Sequence, residues 1–300
     1  MTVRILISDK IADEGIKIME QKGYEVVRCW GLPKTQLNNI IADYDALIVR
    51  SATKVTAELL GNAKKLRVIG RAGEGLDNID LKKARAMGIE VVNTPHVAAI
   101  SVAELTMGHL LALARGIVEG TLSLREGRWI KEELMGVEVS GKTLGIVGCG
   151  SIGKTVERLA MALGMKVVGV DMCVYGRFVT LEEMLPQADF VTVHVPLTPH
   201  TRHMLSVKEF AMMKDGVMLV DCSRGGVVDQ EALYDALLSG KVKAAALDVF
   251  EEEPPKNSKL LKLKNVHATP HIGAQTFEAQ LKSSVLIAER VIEALEKTVS

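Results

Sequence analysis

Short apolar runs, spaced by stretches of helical periodicity, recur along the whole chain. Residues 3–8, 24–27, 46–49, 66–69 and 89–92 are compact runs rich in Val, Ile and Leu, and they read as strands. Between them, 11–22, 36–41, 57–63 and 81–87 carry apolar residues three and four apart and read as helices. This alternation of strand and helix predicts a parallel sheet with helices on both faces. A second series follows, with strands predicted at 144–147, 166–170, 190–195, 217–222, 244–249 and 266–269 and helices at 154–163, 181–185, 208–213 and 231–238. A last helix, 276 to about 295, closes the chain.

The two series are joined by a helix predicted from 102 to about 118, apolar on most faces. Ser101 and Glu104 have the spacing of a capping box, with Ser101 as N-cap. So broad an apolar surface is expected to be buried in a domain bridge or a subunit interface. The pattern predicts an α/β fold of two doubly wound parallel-sheet domains. A Rossmann-type domain over 96–274 is inserted into a flavodoxin-like domain built from 1–95 and 275–300.

The stretch 141–171 carries the first chemistry. Gly148, Gly150 and Gly153 form G-x-G-x-x-G between an apolar strand and a helix, and the next strand ends on Asp171. Gly148 suits a tight turn, Gly150 lets a pyrophosphate reach the backbone, and Gly153 lets helix and strand approach. The helix N-terminus offers N–H groups to phosphate. Asp171 is placed to accept hydrogen bonds from a ribose and to repel a 2′-phosphate, so NAD is expected rather than NADP.

Lys+Arg and Asp+Glu are equal at 37 each, so no net field draws the chain toward nucleic acid or an anionic membrane. Cys29, Cys149, Cys173 and Cys222 show no metal spacing, and no metal is expected. The N-terminus has no secretory pattern and no run is long and uncharged enough to span a bilayer; a cytoplasmic protein is expected.

Ligands of open α/β sheets sit beyond the carboxyl ends of strands. Arg50, Arg71, Asp171, Pro196, Arg224, Asp248 and His271 follow predicted strands directly. Arg224, before Gly225-Gly226, could grip a carboxylate with two parallel hydrogen bonds. Glu253 and His271 have the chemistry of a proton shuttle if the fold brings them together. His109 and His267 fall within predicted elements, where packing accounts for them, and His194 could line a cofactor site without reacting.

The segments GRAGEGLDNID (70–80), NTPHVAAISVAEL (93–105), GIVGCGSIG (145–153), VTVHVPLTPHTRHML (191–205), DCSRGGVVDQEAL (221–233), AALDVFEEEPP (245–255) and TPHIGA (269–274) resemble the D-isomer-specific 2-hydroxyacid dehydrogenase family, over nearly all 300 residues. The resemblance implies Arg224, Glu253 and His271 as the catalytic set. It implies that Ser151, Ile152 and Asp171 contact the adenosine half of NAD. Val195, Pro196, Cys222, Ser223, Asp248, Gly273 and Ala274 would line the nicotinamide side, with Asp248 facing the carboxamide. Arg50, Ser51, Arg71, Gly73, Glu74 and Gly75 would face a small phosphorylated 2-hydroxy acid, and Arg71 in GRAG favours the phosphoglycerate branch. Hydroxypyruvate or glyoxylate reduction is the alternative, and an NAD-sensing corepressor-like scaffold is another of a different class. A homodimer built on the helix after Ser101 and the Trp129 segment is expected. The chain ends at Ser300 without the regulatory domain of longer members, so no serine feedback through such a domain is expected.

Two positions depart from the family pattern. Glu74 stands where a small or apolar residue is usual, so its carboxylate is expected to face away from the turn or meet a cation. Ala98 stands where a polar residue is usual.

Overall fold

A computed structural model of the chain describes residues 2–170 and 179–297. The chain divides into two compact units, Met1–Ala98 with Gln275–Ser300, and Ala99–Ala274.

The first unit contains β1 (Arg4–Ile7), α1 (Asp13–Gln21), β2 (Glu25–Arg28), α2 (Lys34–Ile40), β3 (Ala46–Val49), α3 (Ala57–Asn62), β4 (Val68–Arg71), α4 (Leu81–Ala86) and β5 (Glu90–Asn93). Its strands pair in parallel in the order β2-β1-β3-β4-β5. Side chains alternate across the sheet. Leu6, Leu47, Val49 and Ile69 join a core with Leu37, Leu59 and Ala84 from α2, α3 and α4. Ile5, Ile7, Ala46 and Ile48 point the other way, toward Ile16 and Met19 of α1 and Ile287 and Val291 near the chain's end.

The second unit contains α5 (Ala99–Arg115), α6 (Ile117–Arg125), β6 (Thr143–Val147), α7 (Ser151–Ala162), β7 (Lys166–Val170), α8 (Leu181–Met184), β8 (Phe190–Val193), α9 (Val207–Met212), β9 (Val217–Asp221), α10 (Gln230–Leu238), β10 (Val242–Leu247) and β11 (Val266–Ala268). The described strands pair in parallel in the order β11-β10-β9-β8-β6-β7. Val147, Val191, Val193, Leu219 and Leu247 pack with Met184, Phe210 and Leu233 of α8, α9 and α10. α5 and α7 pack on each other and on the sheet. These two parallel-sheet α/β units are the expected fold class.

Three details differ from the sequence-based expectation. His96 adopts φ 66°, and helical geometry begins at Ala99. Ser101 is therefore the third helical residue, buried, and not an N-cap; the Ser101–Glu104 capping box does not form. The helix expected to reach 118 stops at Arg115, because Gly116 takes φ 60°, and α6 leaves at a 67° bend. A capping box does form at the start of α8. The Glu183 amide donates to Thr180 Oγ1, and Glu183 Oε2 accepts from the Thr180 amide. Among the described residues no single helix is long and apolar enough to cross a membrane.

The closing helix α11 (Phe277–Lys297) returns to the first unit and packs against α1, β4 and β5. The approach is close enough that a Cβ on Gly15 would lie 2.2 Å from the Ser284 carbonyl oxygen. Ser284 completes the contact by accepting from the Ala12 amide at 2.8 Å. Gly15→Ala is expected to cost about 1–3 kcal/mol through overpacking, read as a lower urea midpoint with an unchanged slope. An unchanged midpoint would show that the two helices slide apart freely.

Candidate active site

In the second unit the carboxyl end of β6 runs into Gly148, which takes φ 98°. A Cβ there would lie 2.8 Å from the His194 carbonyl carbon and from Val195 Cγ1. A Cβ on Gly153 would lie 2.0 Å from the Gly148 carbonyl oxygen, so this glycine lets α7 press on the loop. Around Gly150 nothing lies within 4 Å of a built Cβ, and no side chain caps α7. Open space at the second glycine and amides of Ser151, Ile152 and Gly153 at the start of a three-turn helix suit a pyrophosphate. Asp171, expected at the ribose, lies outside the described residues.

The next strand end borders the same loop. The His194 amide donates to the Val147 carbonyl at 2.7 Å, and its ring Nε2 lies 3.0 Å from Thr192 Oγ1. Burial pushes His194 down to about 3, so it is neutral, and its Nδ1 is buried without a partner. The Pro196 carbonyl is taken by the Thr201 hydroxyl at 2.6 Å. At the end of β9, burial pushes the Cys222 thiol well above its ordinary value, which removes it as a nucleophile.

After Cys222 the chain turns sharply. Asp221 Oδ1 accepts from the Ser223 amide at 2.9 Å and from its hydroxyl at 2.6 Å. A Cβ on Gly225 would lie 1.8 Å from the Phe250 carbonyl oxygen, so the Arg224 turn lies directly on the turn after β10. The Phe250 amide donates to Glu253 Oε1 at 3.2 Å, and Glu253 Oε2 lies 2.8 Å from His271 Nδ1. Burial alone would raise the Glu253 pKa. The His271 hydrogen bond and charge, the Phe250 amide and the Arg224 charge outweigh it and hold Glu253 below its ordinary value. The fold thus gathers Arg224, Glu253 and His271, each from a loop beyond a strand end. Glu253 and His271 both keep 38% of their side-chain surface exposed.

Asp248 is buried, and three donors occupy its carboxylate: Thr269 Oγ1 at 2.6 Å and the amides of Ile272 and Gly273 at 2.8 Å. It therefore ties down the segment that presents His271. Ala274 follows at the end of this segment. Sequence reading left Thr269 without a role of its own and gave His109 to packing; His109 Nε2 lies 3.1 Å from Thr269 Oγ1. Nothing in the spacing along the chain links them.

In the first unit, Arg50 follows β3. Its amide donates to Asp9 Oδ2 at 2.6 Å and its guanidinium to Gln275 Oε1 at 2.9 Å and the Lys10 carbonyl at 3.2 Å. Ser51, beside it, is exposed. Arg71 ends β4 and folds over Gly73, where a Cβ would lie 1.6 Å from its Nη1. Asn93 fixes the turn by donating to the Glu74 carbonyl at 2.6 Å. The Glu74 carboxylate, ahead of Gly75, lies 3.8 Å from His96 Nδ1, so it meets an imidazole. Among the described residues no three His, Cys, Asp or Glu side chains gather as metal ligands.

Residues 107–273 match the family described as D-isomer specific 2-hydroxyacid dehydrogenase, NAD binding domain. The chain is 48% identical over 98% of its length to D-3-phosphoglycerate dehydrogenase of Methanocaldococcus jannaschii, of which it spans only 57%. It is 47% identical over 97% of its length to hydroxypyruvate reductase of Thermotoga maritima, of which it spans 98%. Among solved structures it superposes with TM-score 0.86 and 29% identity on D-lactate dehydrogenase from Aquifex aeolicus complexed with NAD and lactic acid, covering 98% of this chain and 96% of that one.

Asp221 offers a stability test. Burial pushes its pKa up from 3.8 to about 6, and the Ser223 bonds only partly offset this. A raised acid binds more protons folded than unfolded between those values, so the ionised group costs stability as pH rises from about 4 to 6 and uniformly above. Asp221→Asn keeps an acceptor for Ser223. It is expected to match the wild type below pH 4 and to exceed it by about 1–3 kcal/mol at pH 7 in denaturant titrations. A gap that does not widen with pH would count against a strained carboxylate.

Proposed function

The chain belongs to the D-isomer-specific 2-hydroxyacid dehydrogenase family, and from that premise we propose that it oxidises D-3-phosphoglycerate to 3-phosphohydroxypyruvate with NAD, the first step of the phosphorylated route to serine. The observation that carries the reading is the Glu253–His271 pair at 2.8 Å, with Arg224 acting on it from the neighbouring turn of the NAD-binding unit.

NAD, when bound, supplies the acceptor for the hydride that leaves C2 of the substrate. The glycine loop and the α7 N-terminus would hold its pyrophosphate, Asp171 its ribose, and Val195, Pro196, Cys222, Ser223, Asp248, Gly273 and Ala274 its ring side. Arg224 binds the substrate carboxylate and draws electron density from the C2 oxygen. Because His271 Nδ1 is held by Glu253, the ring presents Nε2, which takes the C2 hydroxyl proton as the carbonyl forms. Glu253, ionised at neutral pH, faces the imidazolium that results. In reduction the same ring gives the proton back. Arg50 and Arg71 are assigned to the substrate's anionic groups, with Ser51, Gly73, Glu74 and Gly75 around them.

A second reading, reduction of hydroxypyruvate or glyoxylate on the same groups, is favoured by the near full-length match to the Thermotoga maritima reductase. Free thiols at Cys29, Cys149 and Cys222 fit a reducing, cytoplasmic setting. The homodimer expected on the helix after Ser101 and the Trp129 segment is proposed on α6 and that segment instead, because α5 is largely buried. Leu122, Leu124, Trp129 and Met135 are exposed there, the last two at 80% and 82%.

A panel of 2-hydroxy and 2-keto acids with NAD(H) and NADP(H) is expected to give the highest kcat/KM on the phosphorylated pair. Equal or better turnover of hydroxypyruvate moves the assignment to the reductase, and negligible turnover with tight NADH binding indicates a scaffold. His271→Ala is expected to lower kcat by about 10²–10⁴-fold with NADH affinity retained. Near wild-type turnover would remove it from the mechanism. Light scattering is expected to report twice the chain mass, and Trp129→Lys to shift it toward the single chain.

A further inference from the structure

Behind the His271 segment lies a line of polar groups, His109 and Asp248 buried and Thr269 half-buried, that the proton transfer itself does not touch. Thr269 Oγ1 donates to Asp248 Oδ1 at 2.6 Å. Its one proton is committed there, so toward His109 Nε2, 3.1 Å away, the hydroxyl can only accept. His109 therefore carries its proton on Nε2. Burial lowers its pKa below the ordinary value, with the nearby Asp248 opposing and His267 adding to the shift, so the ring is neutral. The line runs from α5 through His109, Thr269 and Asp248 to the amides of Ile272 and Gly273.

His271 sits inside this tied segment with φ 53°, a left-handed conformation uncommon outside glycine, though histidine is among the side chains that visit it more often. Its own amide is bonded to the Thr269 carbonyl at 3.0 Å. Such a conformation persists where its surroundings over-determine it, and here the Asp248 carboxylate holds both flanks at once.

We propose that His109 and Thr269 are positioning residues: they orient the Asp248 carboxylate, which locks the amides of Ile272 and Gly273 and so aims the His271 ring at Glu253. The proposal rests on His271 being the proton carrier. A carboxylate deprived of the Thr269 hydroxyl has one acceptor site unserved and is free to turn. The ring is then presented to Glu253 in many orientations instead of one. The loss falls first on proton transfer; the glycine loop keeps the pyrophosphate, and coenzyme affinity falls less, through the loosened Gly273 segment.

The test compares Thr269→Val, Thr269→Ser, His109→Leu, His109→Gln and His271→Ala in the full chain. Each is assayed for NADH oxidation with 3-phosphohydroxypyruvate and with hydroxypyruvate, alongside NADH affinity by fluorescence and thermal midpoint. Thr269→Val and His109→Leu are expected to lower kcat about ten- to hundredfold, with KM within about twofold and NADH affinity falling less than kcat. Thr269→Ser and His109→Gln, which restore a hydroxyl and an N–H donor, are expected to recover most of it. Wild-type kcat in Thr269→Val with only a lower thermal midpoint overturns the proposal, as does failure of both conservative variants to recover kcat. Should Thr269→Val not fold, the kcat of His109→Leu beside that of His109→Gln decides the question in its place. Turnover surviving in His271→Ala overturns the proton-carrier assignment and the proposal with it. Loss in His271→Ala beside full activity in Thr269→Val overturns the positioning role alone.

Discussion

Parallel pairing is the constraint from which the rest of the molecule follows. Each crossover must carry the chain back to the starting edge, so the carboxyl ends of all strands in a unit line one side of its sheet. In the second unit that edge collects Gly148, Val195, Cys222, Asp248 and Thr269, residues far apart in sequence but adjacent in the strand order. In the first unit it collects Arg50, Arg71 and Asn93. β6 lies between β7 and β8, so its outgoing loop stands where the strand order reverses direction, the position at which open sheets hold ligands. Chemistry concentrates there because those backbone ends are the places where a side chain can leave the sheet without breaking the ladder.

Two buried carboxylates at neighbouring strand ends show how differently the same edge can treat a charge. Asp221 has the Ser223 amide and hydroxyl, both on one oxygen, and burial wins. Asp248 has three donors spread over both oxygens, all from the segment beyond β11. The first shapes the Arg224 turn and the second the His271 turn. Glu253 lies between these turns and is half exposed, and it is the acid of the three that meets an imidazole. Depth, and the number of donors met, separate scaffold from chemistry.

Much of this was legible in the chain. Runs rich in Val, Ile and Leu gave away the central strands, and of the three glycines of 148–153, Gly148 takes a left-handed turn and Gly153 leaves no room for a Cβ, while Gly150 borders open space. The helix after the first sheet was harder. Ser101 and Glu104 have the right spacing for a cap, but a left-handed His96 starts the helix before them, and a backbone angle of that kind leaves no periodic trace. Gly116 lies inside the apolar run, and the break there comes from its φ of 60°, which the run's periodicity does not show. The His109–Thr269 contact was invisible because it joins residues 160 positions apart through one hydroxyl. Patterns along a chain report periodicity and local sterics; they do not report which single polar atoms meet across a fold.

The return of α11 to the first sheet sets an order on biosynthesis. Val291 and Ile287 reach Gly70 on β4, with distances of 2.5 and 3.1 Å to where its Cβ would be. The face they cover belongs to strands made long before them. A ribosome adding about 5–20 residues per second spends roughly 10–40 s between completing β5 and completing α11. Within that interval the second unit acquires its described strands, the last ending at Ala268, while the first has α1 alone on the face that α11 will complete. The earlier-made sheet is thus the later to be finished, and the period before α11 docks is when a nascent chain has most need of a chaperone.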